Sequence, residues 1–201
     1  SSISRISKEL DKGIPIRSMK LSKDDLAAIK DLHLVSRKPT LYVANVAEDG
    51  FEDNSLLQEV EAIARDEGSE VVVISNKIES ELASLADEEK VEFLEDMNLS
   101  EPGLNRLIRS GYKLLGLQQY FTAGPKEVRA WTITKGLNAP QAAGKIHSDF
   151  EKGFIRAEVV SFDDFVSAGG EHKAKEAGKW RLEGKDYIVS DGDVIHFRFN
   201  V

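Results

Sequence analysis

The chain has 201 residues, of which 41% are hydrophobic and 31% charged, a composition typical of a folded globular protein with one large or two small domains. It contains no cysteine, which excludes disulfides, thiolate metal ligands and cysteine nucleophiles. No apolar run approaches the roughly 20 residues that a membrane-spanning helix needs, and no signal-peptide pattern opens the chain. We therefore expect a cytoplasmic protein without membrane contact.

The net charge of −8 is unevenly distributed along the chain. Residues 117–201 hold 12 of the 27 basic and 12 of the 35 acidic residues, so the whole excess of negative charge belongs to residues 1–116. Such a chain does not bind nucleic acid through its overall charge, although a neutral C-terminal part can present a local basic face.

Residues 1–116 have the pattern of an α/β domain. Two short apolar runs predict buried strands, and the helix that connects them makes a βαβ unit with parallel strands and a right-handed crossover. In chain order the predicted elements are a helix over 1–12, a helix capped by Ser22, a strand over Thr40–Ala44, a helix bounded by Asn54 and Gly68, a strand over Glu70–Ile74, and helices that begin after Ser75, at Asp87 and at Ser100. The apolar helix positions expected to face a core are Leu26, Ile29, Leu32, Leu57, Val60, Ile63, Ala64, Val91, Leu94, Leu104, Leu107, Ile108 and Leu115.

The pattern changes at Gly116, where we place the boundary between two domains, 1–116 and 117–201. The second has the order of a small α+β domain with one packed helix. Its predicted elements are a strand over Val128–Thr134, a turn at Gly136–Asn138, a helix from Pro140 with Ala143, Ile146 and Phe150 facing inward, a strand over Phe154–Val160, a short helix at Asp163, a strand over Lys185–Val189, a turn at Ser190–Asp193, and a strand over Val194–Phe199.

Polar residues follow both strands of the predicted βαβ unit. Asn45 and Glu48 come after the first strand, and Ser75-Asn76-Lys77 after the second. In open α/β sheets ligands bind beyond the carboxyl ends of the strands, and an asparagine amide offers a base edge both a donor and an acceptor. The two loops could therefore hold a base between them. The alternative is that these are ordinary turn and strand-end residues in solvent.

Longer segments carry a family resemblance. Lys38–Gly50 (KPTLYVANVAEDG) resembles the base-recognition region of the YchF/Obg-like ATPase family, within the translation-factor-related P-loop GTPases. The resemblance continues to the end of the chain through Gly103–Arg109, Tyr120–Trp131, Ala139–His147, Asp149–Glu158, Gly184–Tyr187 and Asp191–Val201. It implies an incomplete P-loop nucleotidase sheet over 1–116, with the end of a helical insertion at 1–30, and a β-grasp TGS domain over 117–201.

The resemblance also assigns roles to the two loops. Most related GTPases carry Asn-Lys-x-Asp, whose Asp accepts two hydrogen bonds from guanine, whereas this family carries Asn-x-x-Glu and is linked with ATP at least as readily as with GTP. Asn45 and Glu48 match that variant, and Val46 stands where the lysine would be, with its backbone at the base. The implied base-binding residues are Asn45, Val46, Ala47, Glu48, Ser75, Asn76 and Lys77.

The sequence contains no Gly-x-x-x-x-Gly-Lys-[Ser/Thr] motif to hold phosphates. In the family that loop and the magnesium switch lie upstream, so the chain is expected to be the C-terminal part of a longer protein. ATP or GTP with Mg²⁺ would then bind the full-length parent and neither would bind tightly to this chain alone. Because phosphoryl transfer needs positioned phosphates and Mg²⁺, we expect no catalytic residue and no hydrolysis by this stretch.

The C-terminal domain offers binding rather than catalysis. Trp131 and Phe154 could stack on bases, or they could belong to the core. Six cations could contact RNA or ribosomal phosphates, or form a solvated face: Lys126, Arg129, Lys145, Lys152, Arg156 and Arg198. The four histidines lack metal-ligand spacing, and no metal site is expected.

Two functions follow from these patterns. In the first, the parent is a P-loop ATPase or GTPase that acts on the ribosome, and this chain supplies base recognition and a TGS domain for docking to RNA, the ribosome or a protein. In the second, the chain is a stand-alone nucleic-acid or protein interaction module without nucleotidase activity.

Overall fold

The computed structural model describes residues 2–200 and divides into two compact units between Leu114 and Leu115. Both units combine helices with a β-sheet, so the protein has a mixed α/β fold. No helix among residues 2–200 has the length and apolar composition needed to cross a membrane.

The first unit is built around a two-stranded parallel sheet, as the βαβ pattern predicts. The strands pair in register from Leu41 opposite Glu70 to Asn45 opposite Ile74, and α3 connects them. Both α3 and α6 contact the two strands. The elements of this unit are α1 (Ser2–Leu10), α2 (Lys23–Ala28), β1 (Leu41–Asn45), α3 (Ser55–Glu67), β2 (Glu70–Ile74), α4 (Asn76–Ser84), α5 (Asp87–Asp96) and α6 (Gly103–Leu114).

In this unit, α2 and α3 begin and α3 ends at capping residues that the sequence predicts. The Ser22 side chain accepts the Asp25 N–H and the Asp25 carboxylate accepts the Ser22 N–H, a reciprocal cap that starts α2. Asn54 caps α3 by accepting the Leu57 N–H at 3.1 Å. Gly68 ends α3 with φ 69°, a left-handed conformation that glycine adopts without steric cost.

The predicted burial of the apolar positions is only partly correct. Ile29, Leu57, Ala64 and Leu94 are buried. Eight positions predicted to face a core are exposed: Leu26, Leu32, Val43, Ile63, Val91, Leu104, Ile108 and Leu115. For Val43 the prediction assumed a strand covered on both faces, whereas the described sheet has two strands and leaves this side chain exposed.

The second unit contains a five-stranded sheet in the order β4-β3-β7-β5-β6. The pair β3–β7 is parallel, and the other neighbouring strands are antiparallel. The elements of this unit are β3 (Leu117–Ala123), β4 (Val128–Thr134), α7 (Ala139–Gly144), α8 (Ser148–Lys152), β5 (Phe154–Ser161), α9 (Phe162–Ala168), α10 (Glu171–Glu176), β6 (Arg181–Glu183) and β7 (Asp193–Phe199).

Two clusters of buried residues cover opposite faces of this sheet. Tyr120 and Val159 belong to the cluster under α7, whereas their chain neighbours Phe121 and Val160 belong to the cluster that includes Phe165 of α9. Because successive strand residues point to opposite faces, α7 and α9 lie on different sides of the sheet.

Two predictions for this unit are wrong, and three elements were not predicted. The single helix expected from Pro140 is split into α7 and α8, because His147 caps a new helix by accepting the Asp149 N–H. Residues 185–189 form a turn and one isolated bridge, not a strand. The sequence analysis also missed three elements: β3, β6 and α10.

Candidate functional site

The two predicted loops meet at one edge of the parallel sheet. Asn45 is the last residue of β1, and Asn76 begins α4 directly after β2. The Asn45 Oδ1 atom accepts the backbone N–H of Asn76 at 2.9 Å, and the Val46 N–H donates to the Ile74 carbonyl at 2.8 Å. The structure therefore brings together the residues that sequence reasoning placed on separate loops.

An ion pair makes a second link between the two loops. The Lys77 Nζ donates to Glu48 Oε2 at 2.7 Å, with 67% of the lysine side chain and 37% of the glutamate side chain exposed. This hydrogen bond is the main reason why the pKa of Lys77 is raised above its usual value. The Glu48 carboxylate thus contacts the first turn of α4, which follows β2.

The loop after β1 is held in one shape by its own contacts. The Gly50 N–H donates to the Ala47 carbonyl at 3.0 Å, and the Asn54 side chain donates to the Gly50 carbonyl at 3.0 Å. A Cβ at Gly50 would lie 3.1 Å from the Val46 Cβ, so the turn leaves little space for a side chain. Phe51 anchors the loop in the apolar cluster formed by α4 and α5.

One buried polar atom at this site has no partner. Ser75 is 1% exposed, and its Oγ makes no hydrogen bond with any described residue. Ser75 stands at the N-cap position of α4, where a serine hydroxyl usually accepts a helix N–H, but it makes no such bond. A buried hydroxyl without a partner is costly, and a bound ligand can supply one.

The donors and acceptors present fit a nucleobase better than a metal ion. The Asn45 amide and the Ser75 hydroxyl can both donate and accept hydrogen bonds, as a heterocyclic edge requires, whereas the Val46 N–H and the Ala47 carbonyl are already engaged by Ile74 and Gly50. Among residues 2–200, no group of three or more His, Asp or Glu side chains is placed to hold a metal ion.

Glu79 of α4 holds the start of α6, and sequence reasoning did not identify this residue. Its carboxylate accepts the Gly103 N–H at 2.7 Å and the Leu104 N–H at 3.2 Å, which caps the start of α6. Arg106, which is on α6, donates from Nη2 to the Val73 carbonyl of β2 at 2.9 Å. These contacts fasten α6 to α4 and to β2, the strand that ends at the site. Because they join residues far apart in the sequence, no local sequence pattern predicts them.

The six predicted RNA-contact cations lie at four places in the second unit. Arg156 and Arg198 lie opposite each other on β5 and β7. Arg198 is engaged by the buried Glu158, to which its Nε donates at 2.8 Å, and this bond is the main reason why the pKa of Glu158 is lowered. The remaining four lie elsewhere: Lys126 and Arg129 on the β3–β4 hairpin, Lys145 after α7 and Lys152 at the end of α8.

The two aromatic residues proposed to stack on bases contribute to the core. Phe154 is 6% exposed, inside the cluster under α7. Trp131 packs against that cluster, donates from Nε1 to the Thr122 hydroxyl at 2.9 Å, and has the Arg129 guanidinium 4.1 Å from its ring centroid. The core alternative therefore holds for Phe154.

Known proteins resemble this chain over nearly its whole length. The "Ribosome-binding ATPase YchF" of Pasteurella multocida (strain Pm70) is 64% identical over 92% of this chain and 51% of that protein. The protein of the same name from Bacillus subtilis (strain 168) is 52% identical over 99% of this chain and 55% of that protein. The chain thus spans about half the length of the curated relatives it matches.

A solved structure and a family model agree with these matches. The structure of the Schizosaccharomyces pombe YchF GTPase superposes with a TM-score of 0.83 and 34% sequence identity, over 98% of this chain and 53% of that chain. The family model YchF-GTPase_C, described as a protein of unknown function (DUF933), matches residues 117–200. The chain therefore belongs to the YchF family, as the sequence motifs predict, and corresponds to the C-terminal part of its relatives.

Proposed function

We propose that residues 1–116 are the base-recognition part of a P-loop nucleotidase and that residues 117–201 are a TGS docking domain, both within a ribosome-associated ATPase or GTPase. One observation carries this proposal: the Asn45 side chain bonds to the Asn76 N–H at the carboxyl ends of two parallel strands. Open α/β sheets bind their ligands at this position.

The contacts at the site favour adenine at least as much as guanine. The Asn45 oxygen is engaged by Asn76, so its amide N–H groups are the part directed to a ligand as donors. Glu48 is engaged by Lys77 at 2.7 Å, and a carboxylate held in this way does not serve guanine's pair of donors. Adenine has no such pair. The Ser75 hydroxyl would complete its hydrogen bonding on the bound nucleotide.

The remainder of the nucleotide site belongs to the full-length protein in this proposal. Val43, Leu104 and Ile108 are exposed, and β1 has no neighbour beyond β2 among the described residues, which suits a sheet with further strands. Those strands would bring the phosphate-binding loop, and with it ATP or GTP, Mg²⁺ and hydrolysis. The relatives named as ribosome-binding ATPases support this assignment.

Docking is assigned to the second unit. Its five-stranded sheet, with α7 packed on one face and α9 on the other, is assigned to the β-grasp form of a TGS domain. The six cations on its surface are proposed to meet RNA or ribosomal phosphates, with Arg198 the least available because Glu158 holds it. A protein that docks on ribosomes in this way would be cytoplasmic.

The nucleotide proposal is tested by Asn45→Ala in the full-length protein. We expect ATP affinity, measured by calorimetry, to fall about tenfold because one base contact and the link between the loops are lost. Asn105→Ala is the matched control, since Asn105 is exposed on α6 and is not one of the proposed base-binding residues. Unchanged ATP affinity in both variants would refute the site. Absence of ATP binding in the unaltered protein would favour the interaction-module alternative.

A further inference from the structure

The strand β4 leaves one side of the second unit's sheet open. It is an edge strand of seven residues, whereas β6 at the opposite edge has three. Its pairing with β3 runs through seven consecutive residue pairs without a register shift. Natural proteins usually protect a long edge strand with a bulge, a proline or a covering element, because its outer backbone groups can pair with another chain.

Two backbone hydrogen bonds at the ends of the β3–β4 ladder show which backbone groups point outward. The Lys135 N–H donates to the Gly116 carbonyl at 2.8 Å, and the Gly124 N–H donates to the Glu127 carbonyl at 3.0 Å. Antiparallel ladders alternate, so the groups of Arg129, Trp131 and Ile133 point to β3. Those of Val128, Ala130 and Thr134 point away from the sheet, and no described strand lies beyond them.

The side chains along this edge leave the backbone accessible. Val128 is 73% exposed, and Ala130 and Thr134 are exposed and small. None of the seven residues of β4 is a proline. The one charged residue in the strand, Arg129, lies over the Trp131 ring, on the face that carries the core side chains.

Positive charge lies at both ends of the strand. Lys126 and Arg129 are at its start and Lys135 directly follows its end, with Glu127 as the single carboxylate between 126 and 135. Glu127 lies 3.9 Å from Arg129, at the limit of an ion pair. An extended chain laid along β4 would therefore place its two flanks next to cations.

We propose that the outer edge of β4 binds an extended protein segment with acidic flanks, which joins the five-stranded sheet as an additional strand. Backbone groups that recur every second residue match a β-strand, which supplies donors and acceptors at the same spacing. An RNA would meet the cations but leave the outward N–H and C=O groups without a regular partner. The inference goes beyond the proposed nucleotide and ribosome roles and does not rest on them.

The test uses the 201-residue chain and a synthetic peptide of about nine residues, with alternating valine and threonine between acidic ends. Amide NMR is expected to show saturable shifts and slower hydrogen exchange at Val128, Ala130 and Thr134. Arg129, Trp131 and Ile133, whose groups already face β3, should change less. Shifts without this alternation, or no saturable shift, would overturn the proposal.

Variants separate the backbone and charge contributions. Lys126→Glu with Lys135→Glu should weaken peptide binding about tenfold, whereas Lys145→Glu with Lys152→Glu, the same charge change near α7 and α8, should leave it within about twofold. Ala130→Pro removes an outward N–H but no bond to β3, so binding should be lost while the core amide spectrum is kept.

Two comparison probes decide between partner classes. A peptide with the same core between lysines should bind at least tenfold more weakly than the acidic peptide. Equal binding of the two peptides would contradict the role of charge. A single-stranded RNA oligonucleotide that shifts the β4 amides where the acidic peptide does not would show that the edge is a nucleic-acid surface, and would refute the inference.

Discussion

The side chain of Asn45 joins two loops that are 31 residues apart in the sequence. A hydrogen bond of 2.9 Å from the Asn76 N–H to its Oδ1 links the two loops and fixes the amide group between them. The Lys77–Glu48 pair makes a second link between the same loops. Both links are made by the protein's own side chains. If the proposed site binds a nucleotide, they would limit loop movement and so lower the entropy cost of binding.

The ion pair between the loops can be tested by exchanging its charges. Glu48→Lys or Lys77→Glu alone places like charges together and should weaken nucleotide binding by the full-length protein severalfold. The double exchange should recover most of the loss. Because both side chains are partly exposed and solvent screens their charges, the free energy of unfolding should change little in these variants. If the double variant binds nucleotide no more tightly than the single variants, the link between the loops is contradicted. A double-mutant cycle measures this coupling.

Asp25 gives the chain a stability contribution that depends on pH. Its carboxylate accepts the Ser22 N–H at 3.0 Å, the Ser22 hydroxyl at 2.9 Å and the Arg5 guanidinium. These bonds, the Ser22 N–H foremost, hold its pKa well below the usual value. A carboxylate with a lowered folded-state pKa stabilises the protein above its unfolded pKa of about 3.9, and this contribution is lost as the pH falls toward the folded value.

Urea unfolding of Asp25→Asn measures this contribution. The variant should be less stable than the unaltered chain by a constant amount from about pH 5 to pH 7, and the difference should narrow below about pH 4. Asp24→Asn, in the same helical turn, is the control. A difference for Asp25→Asn that is the same at pH 3 and pH 7 would contradict the role of the ionised carboxylate.

At the scale of elements, α6 depends on a cap supplied by another helix. Replacing Glu79 by alanine leaves the Gly103 and Leu104 N–H groups without their acceptor and should cost about 1 kcal/mol in the free energy of unfolding. Glu92→Ala, exposed on α5, should change it by less than about 0.5 kcal/mol. Equal effects of the two substitutions would show that Glu79 does not cap α6.

Most elements of this fold follow from local patterns, and the exceptions have physical reasons. The β-branched runs predict β2 and β7, and Asn54 and Gly68 predict the ends of α3. The strand β3 was missed because Gln118 looks polar, although its amide donates to the Val189 carbonyl from a buried position.

The candidate site was predictable to a similar degree. The polar residues at the ends of two parallel strands indicated where the loops would meet. The bond between Asn45 and Asn76, the Glu48–Lys77 pair and the cap by Glu79 were not predictable, because each joins residues at least 24 positions apart.

At the scale of the whole molecule, the two proposed roles belong to different units. The loops with Asn45 and Ser75 lie in the first, and the cations and the open edge of β4 lie in the second. Because base contacts without a phosphate-binding loop give weak affinity, the 201-residue chain alone should bind neither ATP nor GTP tightly. Micromolar ATP binding to this chain, measured by calorimetry, would contradict the proposal that tight binding needs a phosphate-binding loop outside this chain.

In the proposed function, Asn45 and Glu48 form a base site that accepts adenine. Titration calorimetry of the full-length protein with ATP and with GTP tests it most directly. We expect ATP to bind no more weakly than GTP, because the Glu48 carboxylate is held by Lys77 and is not presented to guanine. A tenfold preference for GTP, about 1.4 kcal/mol in binding free energy, would contradict it.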